Sequence, residues 1–272
     1  MSTFFYNSCE IAKNYVVGVQ ANVDDMMKKR RNRFTLPDPM PGRVAVVTGG
    51  ARGIGVEVVK NLLICEFHVV LGCRRVSAGE KAVEDLRAAG VVTGTTKVLE
   101  LDVGSLASVR TFAKQVLDAC PRIHVLYNNA GIMHVPFELT VDGHESQFAV
   151  NYLGHFLLTH LLLPRLEASV ENNIASRVVN VSSYAHYGGN MEFEDFQFKQ
   201  NYISEAAYAR SKLAQVMFTK TLQQRLSSRG ANVQVFAVHP GVVDTELFKE
   251  TVIGRFMPFV PRLMFKKKAH GH

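Results

Sequence analysis

With 272 residues, 47% of them apolar and 20% charged, the chain can bury one sizeable core and is neither collagen-like, low-complexity nor stapled by disulfides. Its four cysteines, at 9, 65, 73 and 120, form no CxxC pair, and its ten histidines form no HExxH, so no metal site is expected and the thiols are expected reduced and mostly buried, as in an intracellular compartment. The formal charge of +7 sits in two basic runs, Lys28, Lys29, Arg30, Arg31, Arg33 and Lys266, Lys267, Lys268, leaving a near-neutral body. Such ends suit a polyanionic surface, membrane or nucleic acid, or are solvated tails.

Residues 1–42 read as an N-terminal extension and linker, and 43–272 as a single domain. The extension does not read as a secretory leader, since Glu10, Lys13, Asp24 and Asp25 interrupt it; Phe4, Phe5, Ile11, Tyr15, Val16 and Val19 suggest an interfacial helix backed by the basic run. A Pro-rich linker, Leu36 to Gly42, follows. Predicted strands are Val44–Val47, His68–Leu71, Lys97–Leu101, His124–Tyr127, Arg177–Val181 and Val233–Val238, each short and apolar on both faces. Runs of this kind, separated by helix-length segments, predict an α/β fold: a doubly wound parallel Rossmann sheet in the order 3-2-1-4-5-6. The apolar stretch Phe148 to Leu166 approaches membrane-span length but contains Asn151, His155 and His160, so a buried core helix is expected.

Chemistry is concentrated at the predicted carboxyl ends of the strands. Thr48, Gly49, Arg52, Gly53, Ile54 and Gly55 form a TGxxxGxG turn at the first strand-to-helix junction, where missing side chains let backbone approach a pyrophosphate. After the second strand, where an acid would hold a ribose 2′-hydroxyl, stand Cys73, Arg74 and Arg75; with Arg52 they favour a 2′-phosphate, hence NADP(H) over NAD(H), although the arginines also suit a solvent-facing loop. Asp102 and Val103 follow the third strand, and Asn129, Ala130 and Gly131 the fourth, as adenosine contacts or, alternatively, as a helix cap and an ordinary turn. Tyr208 and Lys212 are one helical turn apart, which puts the ammonium beside the phenol and is expected to lower its pKa.

Taken in order, TGGARGIG, DV, NNAG, Asn151, Ser182-Ser183, YARSK and HPGVVDT resemble the short-chain dehydrogenase/reductase family over residues 43 to about 250, and GCRR, NYLGHFLLT and SSYAH resemble its retinol-dehydrogenase-like branch. The resemblance implies an NADP-dependent oxidoreductase interconverting a lipophilic alcohol, of retinoid, polyprenoid or steroid type, and its carbonyl. It implies Tyr208 as general acid/base, Lys212 as ribose anchor, Ser183 as the group polarising the substrate oxygen and Asn151 as holder of a relay water. Pro240, Gly241, Val243 and Thr245 would contact the cofactor. A homodimer and a peripheral site on the cytoplasmic face of the endoplasmic reticulum are compatible with it, and nucleic acid is not an expected partner. Two departures stand out. The interval from Ser183 to Tyr208 is long and carries Met191, Phe193, Phe196 and Phe198, which line an apolar entrance or pack on the body. The chain also stops 31 residues after Gly241, where relatives continue through a helix and strand, so it reads as truncated, with a catalytically weak or regulatory form as the alternative.

Overall fold

Valine-rich strands without a polar face must be covered on both sides, and the architecture follows from that requirement. The computed structural model describes residues 35–171 and 173–241. Six strands, β1 (Val44–Thr48), β2 (His68–Cys73), β3 (Thr95–Glu100), β4 (Val125–Asn128), β5 (Ser176–Val181) and β6 (Val233–Val238), form one sheet in the order β3-β2-β1-β4-β5-β6. All neighbouring pairs are parallel. The predicted doubly wound sheet and its strand order are thus present, with every strand boundary within two residues of expectation.

Alternation along β1 assigns the two cores. Val44 and Val46 pack with Val109, Phe112 and Val116 of α3 (Leu106–Ala119), with Leu158 and Leu162 of α4 (Gly154–Ala168), and with Leu222 of α5 (Ser204–Ser228). Ala45 and Val47 face Val59 and Leu63 of α1 (Gly53–Ile64) and Leu86 of α2 (Val76–Ala88). The linker is not free: Leu36 and Met40 pack against this second core, and the Met40 amide donates to Cys65 O at 2.8 Å.

One expectation needs correction. β3 is not apolar and buried on both faces; Thr95, Lys97 and Glu100 are exposed. The strand occupies a sheet edge, where one row of backbone groups meets solvent and a lysine discourages pairing with another chain. The expected core helix Phe148–Leu166 exists in three parts: a helical turn at Ser146–Phe148, a π-helical stretch at Ala149–Leu153 and α4. The π stretch carries Asn151, and Gly154 follows because a side chain there would run into the Val103 carbonyl. Cys65, Cys73 and Cys120 are free and buried, as expected, while Cys9, the interfacial helix and both basic runs lie outside the described residues.

A buried polar chain crosses the sheet behind the site. Asn128 Nδ2 donates to Thr159 Oγ1 (3.0 Å) on α4 and to Asn180 Oδ1 (2.8 Å) on β5; Asn180 Nδ2 donates to Thr219 Oγ1 (2.9 Å) on α5. These bonds fix two helices to neighbouring strands with directional contacts that apolar packing does not supply. Asn180→Ala removes one of the two hydrogen bonds of the Asn128 amide and the donor to Thr219 Oγ1, which keeps only its bond to Gln215 O, in a dry interior, so it should lower the free energy of unfolding by about 2–4 kcal/mol in urea titration. A change within about 0.5 kcal/mol would show that the chain is energetically idle.

Candidate active site

The site forms where β1, β4 and β5 deliver their carboxyl ends to adjacent turns. After β1 the backbone turns sharply, and Gly49 (φ 67°) lies so close to the β4 turn that a Cβ would sit 2.9 Å from Ala130 Cα. At Gly55 a side chain would strike the Gly49 carbonyl. Arg52 stands at the N-cap of α1 in extended conformation and makes no side-chain cap, so the first amides of α1 are not closed off by a side chain at that position.

Thr48 anchors this turn. Its fully buried hydroxyl accepts from the amides of Asn129 (2.9 Å) and Ala130 (3.0 Å), and lies 2.9 Å from His155 Nε2. With two donors already on the oxygen, its proton goes to Nε2; Nδ1 therefore carries the hydrogen and donates to the Asn151 carbonyl at 3.2 Å. Burial is the main reason that the His155 pKa falls to about 4, so the imidazole is neutral. The Asn129 amide donates to the carbonyls of Thr48 and Gly49, both at 3.0 Å. Asn151 acts likewise on the next turn, bonding both the amide (2.9 Å) and the carbonyl (3.0 Å) of Ile132, and donating to Ser211 Oγ at 3.0 Å.

Tyr208 and Lys212 share the inner face of α5 and are buried, with Nζ 5.5 Å from the ring centroid. Lys212 Nζ donates to Val181 O at 2.9 Å. Ser182 is turned away, donating to Lys212 O (3.0 Å), whereas Ser183 receives the Ala185 amide at 3.2 Å and acts on the Tyr208 phenol. The expectation that Lys212 depresses the Tyr208 pKa is not met in this state. Burial pushes the phenol up to about 12, with only the Ser183 side chain pulling it down, and burial lowers the ammonium to about 7. Desolvation of both groups outweighs their mutual effect, and the ammonium stands beside the ring.

The remaining predicted residues border this centre. Arg52 and Arg74 are exposed. Asp102 is exposed with Oδ1 accepting from Gly104 N at 2.9 Å, and Val103 is buried under Gly154. Ser105, not Asp102, caps α3. Pro240 and Gly241 follow β6, while Val243 and Thr245 lie outside the described residues. Sequence reasoning missed His134, whose ring meets the Tyr208 ring edge-to-face at 5.5 Å, and Gln147, whose Oε1 accepts from His134 N at 2.8 Å. Burial lowers the His134 pKa while Glu205 opposes the shift. Only adjacence to the NNAG turn signals His134, and nothing local signals Gln147. No cluster of metal ligands and no helix long and apolar enough to cross a membrane occurs among the described residues.

A parallel six-stranded sheet with a glycine turn after β1 and, beside it, a buried Tyr-Lys pair with a half-buried serine defines a nucleotide-dependent oxidoreductase. Residues 43–254 match the short chain dehydrogenase family, and the chain belongs to that family, in its retinol-dehydrogenase-like branch. Retinol dehydrogenase 11 of Mus musculus is 43% identical over 220 residues, 80% of this chain and 67% of that protein. Polyprenol dehydrogenase of Danio rerio is 40% identical over 261 residues, 94% and 79% respectively. Among solved structures, the Pseudomonas aeruginosa RhlG/NADP active-site complex aligns with TM-score 0.62 at 26% identity, covering 81% of this chain and 79% of that one. A Burkholderia phymatum short chain dehydrogenase/reductase in complex with NAD aligns with TM-score 0.61 at 26% identity, covering 84% and 73%. The chain is an alcohol oxidoreductase of this family.

His155 yields a pH prediction. Its folded pKa of about 4 lies below the ordinary 6.5, so below pH 6.5 the unfolded chain binds a proton that the folded chain refuses. Stability is fully present above 6.5 and falls as pH drops towards 4, by up to about 1.4 kcal/mol per pH unit for this group. His68, His124 and His134 are shifted the same way by burial. In denaturant titrations between pH 4 and 6.5, His155→Gln should therefore flatten the slope without abolishing it, and an unchanged slope would refute the assignment.

Proposed function

We propose that this chain interconverts a lipophilic alcohol of retinoid, polyprenoid or steroid type and its carbonyl, preferring NADP(H), with Tyr208 as general acid/base. The observation that carries the reading is the buried Tyr208 and Lys212 on one face of α5, with Nζ 5.5 Å from the phenol ring and Ser183 acting on the phenol, adjacent to the glycine turn. A dinucleotide suits the residues present: α1 offers amides without a side-chain cap at Arg52, and Lys212 commits one hydrogen to Val181 O and retains others for ribose hydroxyls. When bound, that cofactor supplies or accepts the hydride equivalent at the carbonyl carbon.

The chain's own residues handle the proton. In reduction, Ser183 hydrogen-bonds the carbonyl oxygen and Tyr208 delivers its phenolic proton to that oxygen as negative charge develops there. A neutral phenol with a raised pKa is the right starting form for a donor. An anionic ligand beside Lys212 favours the ammonium, and the ammonium in turn stabilises the phenolate left behind. Asn151 fixes the turn before Ile132 and, through Ser211, the backbone at Tyr208. Thr48, Gly49, Gly53, Ile54 and Gly55 would cradle the pyrophosphate, Asp102, Val103, Asn129, Ala130 and Gly131 the adenosine side, and Pro240, Gly241, Val243 and Thr245 the nicotinamide side. The reading extends to a homodimer and to attachment of the basic ends to the anionic cytoplasmic face of the endoplasmic reticulum.

Cofactor choice rests on Arg52, Arg74 and Arg75, with no carboxylate between Cys73 and Val76. Fluorescence titration should give NADPH at least about tenfold tighter binding than NADH, or about 1.4 kcal/mol. Arg74→Asp should narrow or reverse the gap; equal affinities in the parent would overturn the preference.

Tyr208→Phe keeps the ring and removes the proton. Turnover should fall by about 100-fold or more with NADPH affinity nearly intact, whereas Lys212→Met should weaken both. A phenylalanine variant that keeps most of the parent's rate would exclude Tyr208 as the acid.

A further inference from the structure

The long segment between Ser183 and α5 is organised around one residue inside the YARSK run. We propose that Arg210 is a positioning residue that fixes this segment as a collar around the catalytic helix, and so sets substrate affinity without taking part in proton transfer; the substrate part rests on the function proposed above. Arg210 is 3% exposed and lies two residues from both Tyr208 and Lys212. At about 100° per residue it projects from the opposite side of α5 to Tyr208. Its Nε donates to Asn190 O at 2.9 Å, and Nη1 to the carbonyls of Asp195 and Phe196, both at 3.1 Å. Nη2 stands 3.6 Å from Glu192, and the guanidinium lies 3.8 Å from the centroid of Phe198, a residue held at φ 51°.

The grip is on backbone, so the guanidinium specifies the path of the segment and not merely its charge. A lysine carries one charge but not a planar fork able to serve three carbonyls and stack on a ring. The far end of the collar is tied separately. Tyr202 donates to Val135 O at 2.8 Å, and Gln147 Nε2 donates to Tyr202 Oη (2.8 Å) and Ser204 O (2.9 Å). The same Gln147 holds His134 against Tyr208. The segment thus leaves the centre at Ser183, passes behind α5 and returns to the turn carrying His134, whose ring lies against Tyr208, and it is at this end that it would border a substrate.

Losing Arg210 strips donors from three loop carbonyls. Tyr208 and Lys212 keep their own supports, since Lys212 bonds Val181 O, Ser182 bonds Lys212 O and Asn151 bonds Ser211. Substrate affinity should fall while chemistry and cofactor binding persist.

The test uses the full chain with NADPH and decanal as the apolar carbonyl. Arg210→Lys and Arg210→Met should each raise KM by about fivefold or more, keep kcat within about twofold and leave the NADPH dissociation constant unchanged. Amide hydrogen exchange across 190–198 should quicken in both. Phe198→Leu, a milder change, should show the same pattern more weakly if Arg210→Met fails to fold. A fall in kcat at unchanged KM, or exchange and KM equal to the parent's, would overturn the proposal. Should the parent bind NADPH yet turn over no alcohol or aldehyde, the proposed function fails, and exchange decides the collar: quickening in Arg210→Lys supports it and parental exchange overturns it.

Discussion

A single hydroxyl, that of Thr48, holds the site together. It accepts two amides from the turn after β4 and donates to His155 on α4, so three chain segments meet at one buried oxygen. A hydroxyl has two acceptor positions and one hydrogen, and all three are used here. The glycine turn can therefore be thin and side-chain-free without being loose. Asn129 and Asn151 extend the arrangement by the same device, each bonding backbone groups of a turn that would otherwise be left to solvent. The π-helical stretch around Asn151 belongs to this unit: its altered register accompanies an Asn151 carbonyl that accepts from His155.

Around that rigid frame the ionisable groups are balanced against burial. His155, Lys212 and Tyr208 are all held towards their neutral forms, the first two by lowered pKa values and the third by a raised one. The cost of an isolated charge in a dry pocket makes this the expected resting condition. A site of this kind responds strongly to a charged ligand, because one added anion changes the preferred state of Lys212 and, through it, that of Tyr208. The proton donor is loaded before a ligand arrives.

Much of this was legible in the sequence, for physical reasons. Strand order follows from βα alternation and the handedness of crossovers, and the turns after β1, β3 and β4 announce themselves through glycine and asparagine. Helical spacing brings Tyr208 and Lys212 to one face. What spacing does not report is the environment. The sign of the Tyr208 shift depends on how thoroughly α5, β5 and the Ser183 turn exclude water, which no local pattern encodes. β3 looked like its neighbours because an edge strand differs from a central one mainly in what lies beside it. The Asn128–Asn180–Thr219 chain joins residues far apart in sequence, each an ordinary polar residue where it stands. The aromatics of the long segment split: Phe198 is buried and Phe196 packs edge-to-face on Phe148, as packing on the body requires, while Phe193 is 74% exposed.

The YARSK run shows how one turn of helix serves several partners at once. Successive residues are rotated by about 100°, so five consecutive positions sample the whole circumference of α5. Tyr208 and Lys212 look into the site; Ser211 looks towards Asn151. Ala209 is small and its carbonyl is closely approached by Gly189, where any Cβ would come within 2.7 Å of it. Arg210 looks outward to the collar. The residues between the tyrosine and the lysine are therefore not spacers. They fix the helix on three further sides, and a catalytic pair whose geometry depends on a single helix face needs those other faces held if the helix is not to roll.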